Sequence, residues 1–177
     1  MSGPSPSVPG PAAFRGLMAR WATGVAVVTA REGSVDAGLT VNALLSVALA
    51  PPSLLISLTR DADTTPVIER TGTFAVNFLA ADQRSVSERF ALAIPAADKF
   101  RDLRLHRGTT GAPLLDGTLG AAECRVASWT PRYDHVLIVG EVVRQELGRD
   151  GAPLLFFRSG YAESSGPAEL RLPPARK

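Results

Sequence analysis

The chain has 177 residues, 45% of them hydrophobic and 6% aromatic, and a formal net charge of +2. That length suits one domain with a full core of its own, and scattered Lys and Arg with so few aromatics argue against a nucleic-acid surface, which concentrates both. The single cysteine, Cys124, excludes an intrachain disulfide framework, CxxC and HExxH are absent, and no run nears the roughly 18 apolar residues of a membrane span, so a metal-free protein of a reducing cytoplasm is expected.

Residues 1–11 (MSGPSPSVPGP) lack apolar periodicity and read as a disordered arm, without the basic and apolar regions of a secretory signal. In 12–21 the residues Phe14, Leu17, Met18 and Trp21 recur at helical spacing, which predicts a short amphipathic helix ended by Gly24, with Trp21 in the core. Residues 25–30 and 35–41 flank an Arg31-Glu32-Gly33-Ser34 turn and read as a hairpin. Next comes GLTVNALLSVALAPPSLLISLTR (38–60), two apolar strands over 44–49 and 54–59, with Pro51-Pro52 in the connection because proline cannot donate to a ladder. Gly38, Thr40, Asn42, Ala43, Ser46, Ser57 and Thr59 interrupt this otherwise buried run. Small and hydroxylated residues of this kind suit a backbone approaching a flat polar ligand; they suit relief of crowding inside a barrel equally well.

Thr64, Thr65 and Pro66 read as a cap with proline at the first helical position, opening a helix that stops at Gly72 and points hydroxyls and N–H groups outward; such an end can accept an anion, and equally most capped helices bind nothing. Residues 73–79 predict a strand with Asn77 on its polar side, and 82–92 a helix with Asp82 as cap and a Ser85-x-x-Glu88 box. The irregular stretch 93–113 is expected to be a surface loop, the usual place for a lid. Strands over 118–130, 136–147 and 154–157 follow, and beyond Tyr161 the composition predicts a loose tail over 162–177. About eight strands, three short helices and no βαβ alternation indicate a mainly β fold, a closed or nearly closed antiparallel barrel spanning 12–161 with helices covering it.

Neither GxGxxG nor GxxxxGK[ST] occurs, which removes the usual Rossmann and P-loop routes to a nucleotide. His106 lies among charges and reads as solvated; His135 opens a strand directly after Tyr133-Asp134, where a structural and a hydrogen-bonding role are both open. Cys124 sits in an apolar alternation and reads as an inert thiol. A chain with so little acid–base equipment either binds without reacting or takes its chemistry from a cofactor.

The segments FRGLMARWATGVAVVTA, GLTVNALLSVALAPPSLLISL, GTFAVNFLAADQ, SERFA, DKF, GAPLLDGTLGAAECRV, DHVLIVGEV and PLLFFRSGY occur in the order seen in the flavin reductase-like, FMN-binding split-barrel family, which this chain resembles from Phe14 to Tyr161. The resemblance implies an antiparallel Greek-key split β-barrel and NAD(P)H:flavin oxidoreductase activity, with FMN, or FAD, as flavin and NADH or NADPH as co-substrate. It implies a homodimer and a partner flavin-dependent monooxygenase. A flavin- or haem-binding barrel without turnover, or an OB-like nucleic-acid barrel, are the alternatives. Carried over residue by residue, flavin contacts fall on Thr40, Val41, Asn42, Ala43, Leu44 and Ser46, then on Ser57, Leu58 and Thr59. Thr64 and Thr65 lie near the flavin tail, Arg89 and Phe90 border the pocket, His135 orients the nicotinamide, and Tyr161 is the terminal aromatic. Two departures stand out: the family often has Gly where this chain has Tyr133, and a second basic residue where it has Gly160, while Arg158 keeps the first.

Overall fold

The computed structural model describes residues 8–162 and Ser164. Helix α1 (Pro11–Met18) leads into β1 (Thr23–Gly24), the hairpin β2 (Ala26–Glu32) and β3 (Val35–Val41), then β4 (Leu44–Leu49) and β5 (Pro52–Thr59). Helix α2 (Thr64–Thr71), β6 (Thr73–Phe78), α3 (Arg84–Ala91) and α4 (Ala96–Phe100) follow. The short pair β7 (Leu105–Arg107) and β8 (Pro113–Leu115), the long pair β9 (Gly120–Arg132) and β10 (His135–Leu147), and β11 (Leu155–Phe157) with β12 (Gly160–Ala162) complete the chain.

Seven strands form one antiparallel sheet in the order β3-β2-β6-β9-β10-β5-β4. Its two edge strands, β3 and β4, are consecutive in sequence and joined only by Asn42-Ala43, so the sheet curls round until its edges meet and stays split there. Val28, Ile56, Leu58, Phe74, Val76 and Ile138 fill the interior, each at most 1% exposed. Burying side chains of this size contributes roughly 1.5–3 kcal/mol apiece. Strand β2 is covered on its other face too, where Val27 packs with Leu79, Phe90 and Leu115.

Several local expectations are corrected. Helix α1 starts at Pro11 and ends at Met18, and it buries none of its residues: Phe14, Leu17 and Met18 are exposed, as is Trp21 at 69%, so Trp21 is not core. Gly24 belongs to β1 and does not end the helix. Of the arm, residues 8–10 take no regular structure and residues 1–7 lie outside those described; in the tail Ala162 pairs with Leu155, and beyond it only Ser164 is described. Pro52 opens β5 opposite Leu49, at a first strand position that needs no N–H. In α2, Thr64 and Thr65 are 1% and 4% exposed and Thr65 Oγ1 donates to the Thr59 carbonyl at 2.8 Å, so the hydroxyls do not point outward. They share a helical face with Ile68, which enters the interior and turns that face inward. Gly72 does stop the helix, at φ 65°.

Asn77 is fully buried because β8 covers the outer face of β6. Its amide donates to the Val27 carbonyl at 3.1 Å and its carbonyl accepts Leu115 N–H at 2.8 Å, tying β8 to the barrel. The helix expected from residue 82 begins at Arg84 after a 3₁₀ turn, with Gln83 accepting the Ala80 N–H at 3.1 Å; Asp82 instead pairs with Arg149, and Glu88 with Arg84 at 2.8 Å. The 93–113 stretch is no open loop, since it holds α4 and β7 and leads into β8. Within it Lys99 is buried and donates to the Gly38 carbonyl at 3.2 Å; burial pushes its ammonium below its usual range, against the field of Asp63.

Glu123 of β9 is 1% exposed. Burial alone would raise its carboxyl, but the hydroxyl and N–H of Thr110, the N–H of Thr109 and the Arg144 guanidinium together hold it below the usual value. A Cβ on Gly108 would lie 1.9 Å from Glu123 Oε2, so a larger residue here would displace the carboxylate from its donors. Glu123→Ala orphans the two N–H donors and is expected to cost about 1–3 kcal/mol in denaturant unfolding. A depressed folded-state pKa means that the ionised carboxylate's contribution is present above the unfolded value near 4.5 and lost as pH falls through the folded one. The gap between wild type and Glu123→Gln should therefore close on acidification below that range.

Candidate functional site

Where the sheet edges meet, a cavity of about 720 Å³ opens on the barrel's outer side. One wall is the link itself, Val41, Asn42, Ala43 and Leu44; Leu55 and Ser57 of β5 form the floor; Trp21 and Thr23 stand opposite. Strand alternation explains the floor, because Leu54, Ile56 and Leu58 point into the core and Leu55, Ser57 and Thr59 point out. Ser57 N–H donates to the Ala43 carbonyl at 3.1 Å and fastens the link to β5. Among the described residues, the N–H groups of Asn42 and Ala43 donate to no protein acceptor, and Thr23 Oγ1 is buried without a partner. None of the residues lining this cavity has an ionisable side chain.

The expected site residues divide by position. Val41, Asn42, Ala43, Leu44 and Ser57 share the cavity, while Thr40 and Tyr161 line an adjoining one of about 200 Å³. Ser46 lies in a third groove, on the opposite flank of Leu44 and Leu45. Thr59 and His135 are partners across β5 and β10, further along the outer face and outside the cavity; His135 Nδ1 is 2.8 Å from Asp134 Oδ1, a bond that holds the Asp134 carboxyl below its usual range. Leu58 and Phe90 are core side chains at 1% exposure, so neither presents a side chain to a pocket. Arg89 donates to the Arg101 carbonyl at 2.7 Å, and Thr64 and Thr65 are buried under α2.

Sequence reasoning missed Met18, Trp21 and Thr23, because helical spacing assigned the first two to a packed stripe and Thr23 to nothing. Their signal was available: a helix this short has few buried partners, and its apolar residues were free to face a ligand. His106, expected to be merely solvated, is clasped between Asp116 and Glu146, 3.0 Å from each, and hydrogen bonds to both raise its pKa.

A sequence model of the Flavin reductase like domain matches residues 18–165. The chain belongs to the flavin reductase-like family. The 4-hydroxyphenylacetate 3-monooxygenase reductase component of Thermus thermophilus is 36% identical over 149 residues, 84% of this chain and 93% of that protein. The FMN reductase (NADH) RutF of Cronobacter sakazakii is 35% identical over 155 residues, 88% and 93% of the two chains. Among solved structures, the NADH:FAD oxidoreductase SgcE6 of Streptomyces globisporus C-1027 superposes with a TM-score of 0.84 at 30% identity, covering 92% of this chain and 100% of that one.

The cavity of this flavin reductase-like chain fits a flavin on its own geometry. A flat ring with one polar edge would find apolar surface at Trp21 and Leu55, and unclaimed donors at Asn42, Ala43 and Thr23. The departure at Tyr133 has a backbone reason: the residue turns the β9–β10 corner at φ 54°, which favours glycine, and its ring is 96% exposed, away from the cavity. Arg158 lies over the Phe157 ring at 5.2 Å.

Cys124 is fully buried between Phe74 and Val142 in the pairing of β6, β9 and β10, and burial, with Glu123 beside it, pushes its thiol up to about 12. It takes no part in the site. The thiol should be silent to Ellman's reagent at pH 8 in the native protein and react fully in denaturant; rapid native labelling would contradict this packing.

Proposed function

We propose that this chain is an NADH:flavin oxidoreductase that reduces FMN or FAD and passes reduced flavin to a flavin-dependent monooxygenase. One observation carries the reading. The cavity combines a donor-bearing link with walls that offer no ionisable group, so the reacting parts must arrive with the bound molecules. The activities for which the relatives are named, FMN reductase (NADH) and a monooxygenase reductase component, support the same class and favour NADH over NADPH.

A bound flavin supplies a ring that accepts hydride from a reduced nicotinamide. The protein's share is placement. Asn42 and Ala43 direct N–H groups at the polar edge of the ring, where negative charge develops, and Leu55 and Trp21 keep water from its face. Holding two rings in register supplies on the order of 7 kcal/mol or more of the barrier reduction, without a proton-transferring side chain. His135, braced by Asp134, orients the dinucleotide along the outer face. Ser57 on that face borders the flavin, while Thr40 and Ser46 line the cavities on either flank and Thr59 stands beside His135.

The pocket is completed by a second copy of the chain. Phe14, Leu17 and Trp21 on one flank and Leu45 and Leu49 on the other leave apolar surface beside the cavity that a homodimer would cover. A buried free thiol fits a reducing cytoplasm, and among the described residues no helix is long and apolar enough to cross a membrane.

Consumption of NADH and NADPH, followed with FMN, FAD and riboflavin in turn, tests the activity: flavin-dependent NADH oxidation is expected, and its absence with all three flavins refutes it. His135→Ala should raise the KM for NADH about three- to tenfold, the loss of one hydrogen bond, while kcat stays within about twofold. Sedimentation of the purified chain at micromolar concentration should give twice the monomer mass.

A further inference from the structure

Behind the Asn42 link lies the smaller cavity of about 200 Å³, which shares Val25, Val41 and Asn42 with the larger one and adds Thr40, Ser87 and Tyr161. Its polar groups form a chain with one hydrogen left over. Thr40 Oγ1 donates to the Ser87 carbonyl at 2.6 Å, and Ser87 Oγ lies 2.8 Å from the Tyr161 hydroxyl. Two hydroxyls joined by one bond use one of their two hydrogens.

Burial decides which hydrogen is used. Ser87 is fully buried, and its hydroxyl meets no other partner among the described residues, so leaving its hydrogen undonated would strand a buried donor. Ser87 therefore donates to Tyr161, whose own hydrogen is left to turn into the cavity. The donor is also held in place. The Arg84 guanidinium, steadied by Glu88 at 2.8 Å, lies 5.1 Å from the Tyr161 ring centroid and is attracted to its face. Phe156 packs edge-on at 5.7 Å and fixes the ring.

We propose that Tyr161 donates this hydrogen to an amide-type carbonyl of a molecule seated against Asn42, with Ser87 and Arg84 as positioning residues. The inference rests on the flavin reductase reading above and deepens it. Both molecules of that reading carry such a carbonyl, the flavin on its pyrimidine ring and the nicotinamide in its carboxamide.

Tyr161→Phe keeps the ring packing and removes only the donor. Flavin affinity, read by quenching of flavin fluorescence, and the KM for NADH separate the two sources. One of the two should weaken about three- to tenfold, the value of one hydrogen bond, with kcat within about twofold. Ser87→Ala should lose part of the same affinity, and should lose nothing further on the Tyr161→Phe background, because its effect passes through that hydroxyl. Thermal melting of each variant checks that the fold is kept. A Tyr161→Phe protein equal to wild type in both constants, or Ser87→Ala losses that simply add, overturns the assignment while leaving the reductase reading intact. A wild-type protein that neither binds flavin nor oxidises NADH removes both.

Discussion

A sheet that does not close has two rows of unpaired backbone groups, and in this chain their disposal organises everything else. The edges belong to β3 and β4. Lys99 occupies the Gly38 carbonyl on the β3 side, and Thr40 is tied through its side chain to Ser87 of α3, so two helices shield that edge from pairing with another strand. What they leave uncovered is the short Asn42-Ala43 crossing from one edge to the other. The cavity opens there, where the N–H groups of Asn42 and Ala43 meet no protein acceptor among the described residues.

The same molecule handles polar groups in two opposite ways. Beneath the barrel two buried polar side chains are fully answered: Asn77 bonds β2 and β8 together, and Glu123 gathers donors from Thr109, Thr110 and Arg144. At the cavity Thr23 Oγ1 is buried without a partner, and the exposed N–H groups of Asn42 and Ala43 meet no protein acceptor among the described residues. An unsatisfied buried group is costly, so Thr23 Oγ1 gains from a polar partner in the cavity, and the link's N–H groups are free to meet the same one.

Much of this was legible in the amino-acid pattern. The β2–β3 hairpin, the pair of strands around Pro51, the stop at Gly72 and the long β9–β10 pair follow from β-branched runs and turn residues, and the link residues stood out as small or polar in an apolar stretch. What failed were inferences about facing. Asn77 looked solvent-directed because strand alternation cannot report that β8 covers both it and Thr29; Thr64 and Thr65 looked like open caps because nothing local says that Ile68 inserts into the barrel. Trp21 went astray for the converse reason, since an apolar stripe gives no sign of lacking a partner. Local sequence reports period, and three-dimensional neighbours decide which side is wet.

Strand β5 carries the core on one face and the cavity floor on the other, residue by residue, with Ile56 inward and Ser57 outward. A single inserted or deleted residue upstream of Leu55 would exchange the two faces, putting a hydroxyl among Phe74 and Ile138 and an isoleucine beneath the ligand. The length of this segment is thereby frozen by folding, and evolutionary change in what the floor recognises is channelled into side-chain replacement at Leu55 and Ser57.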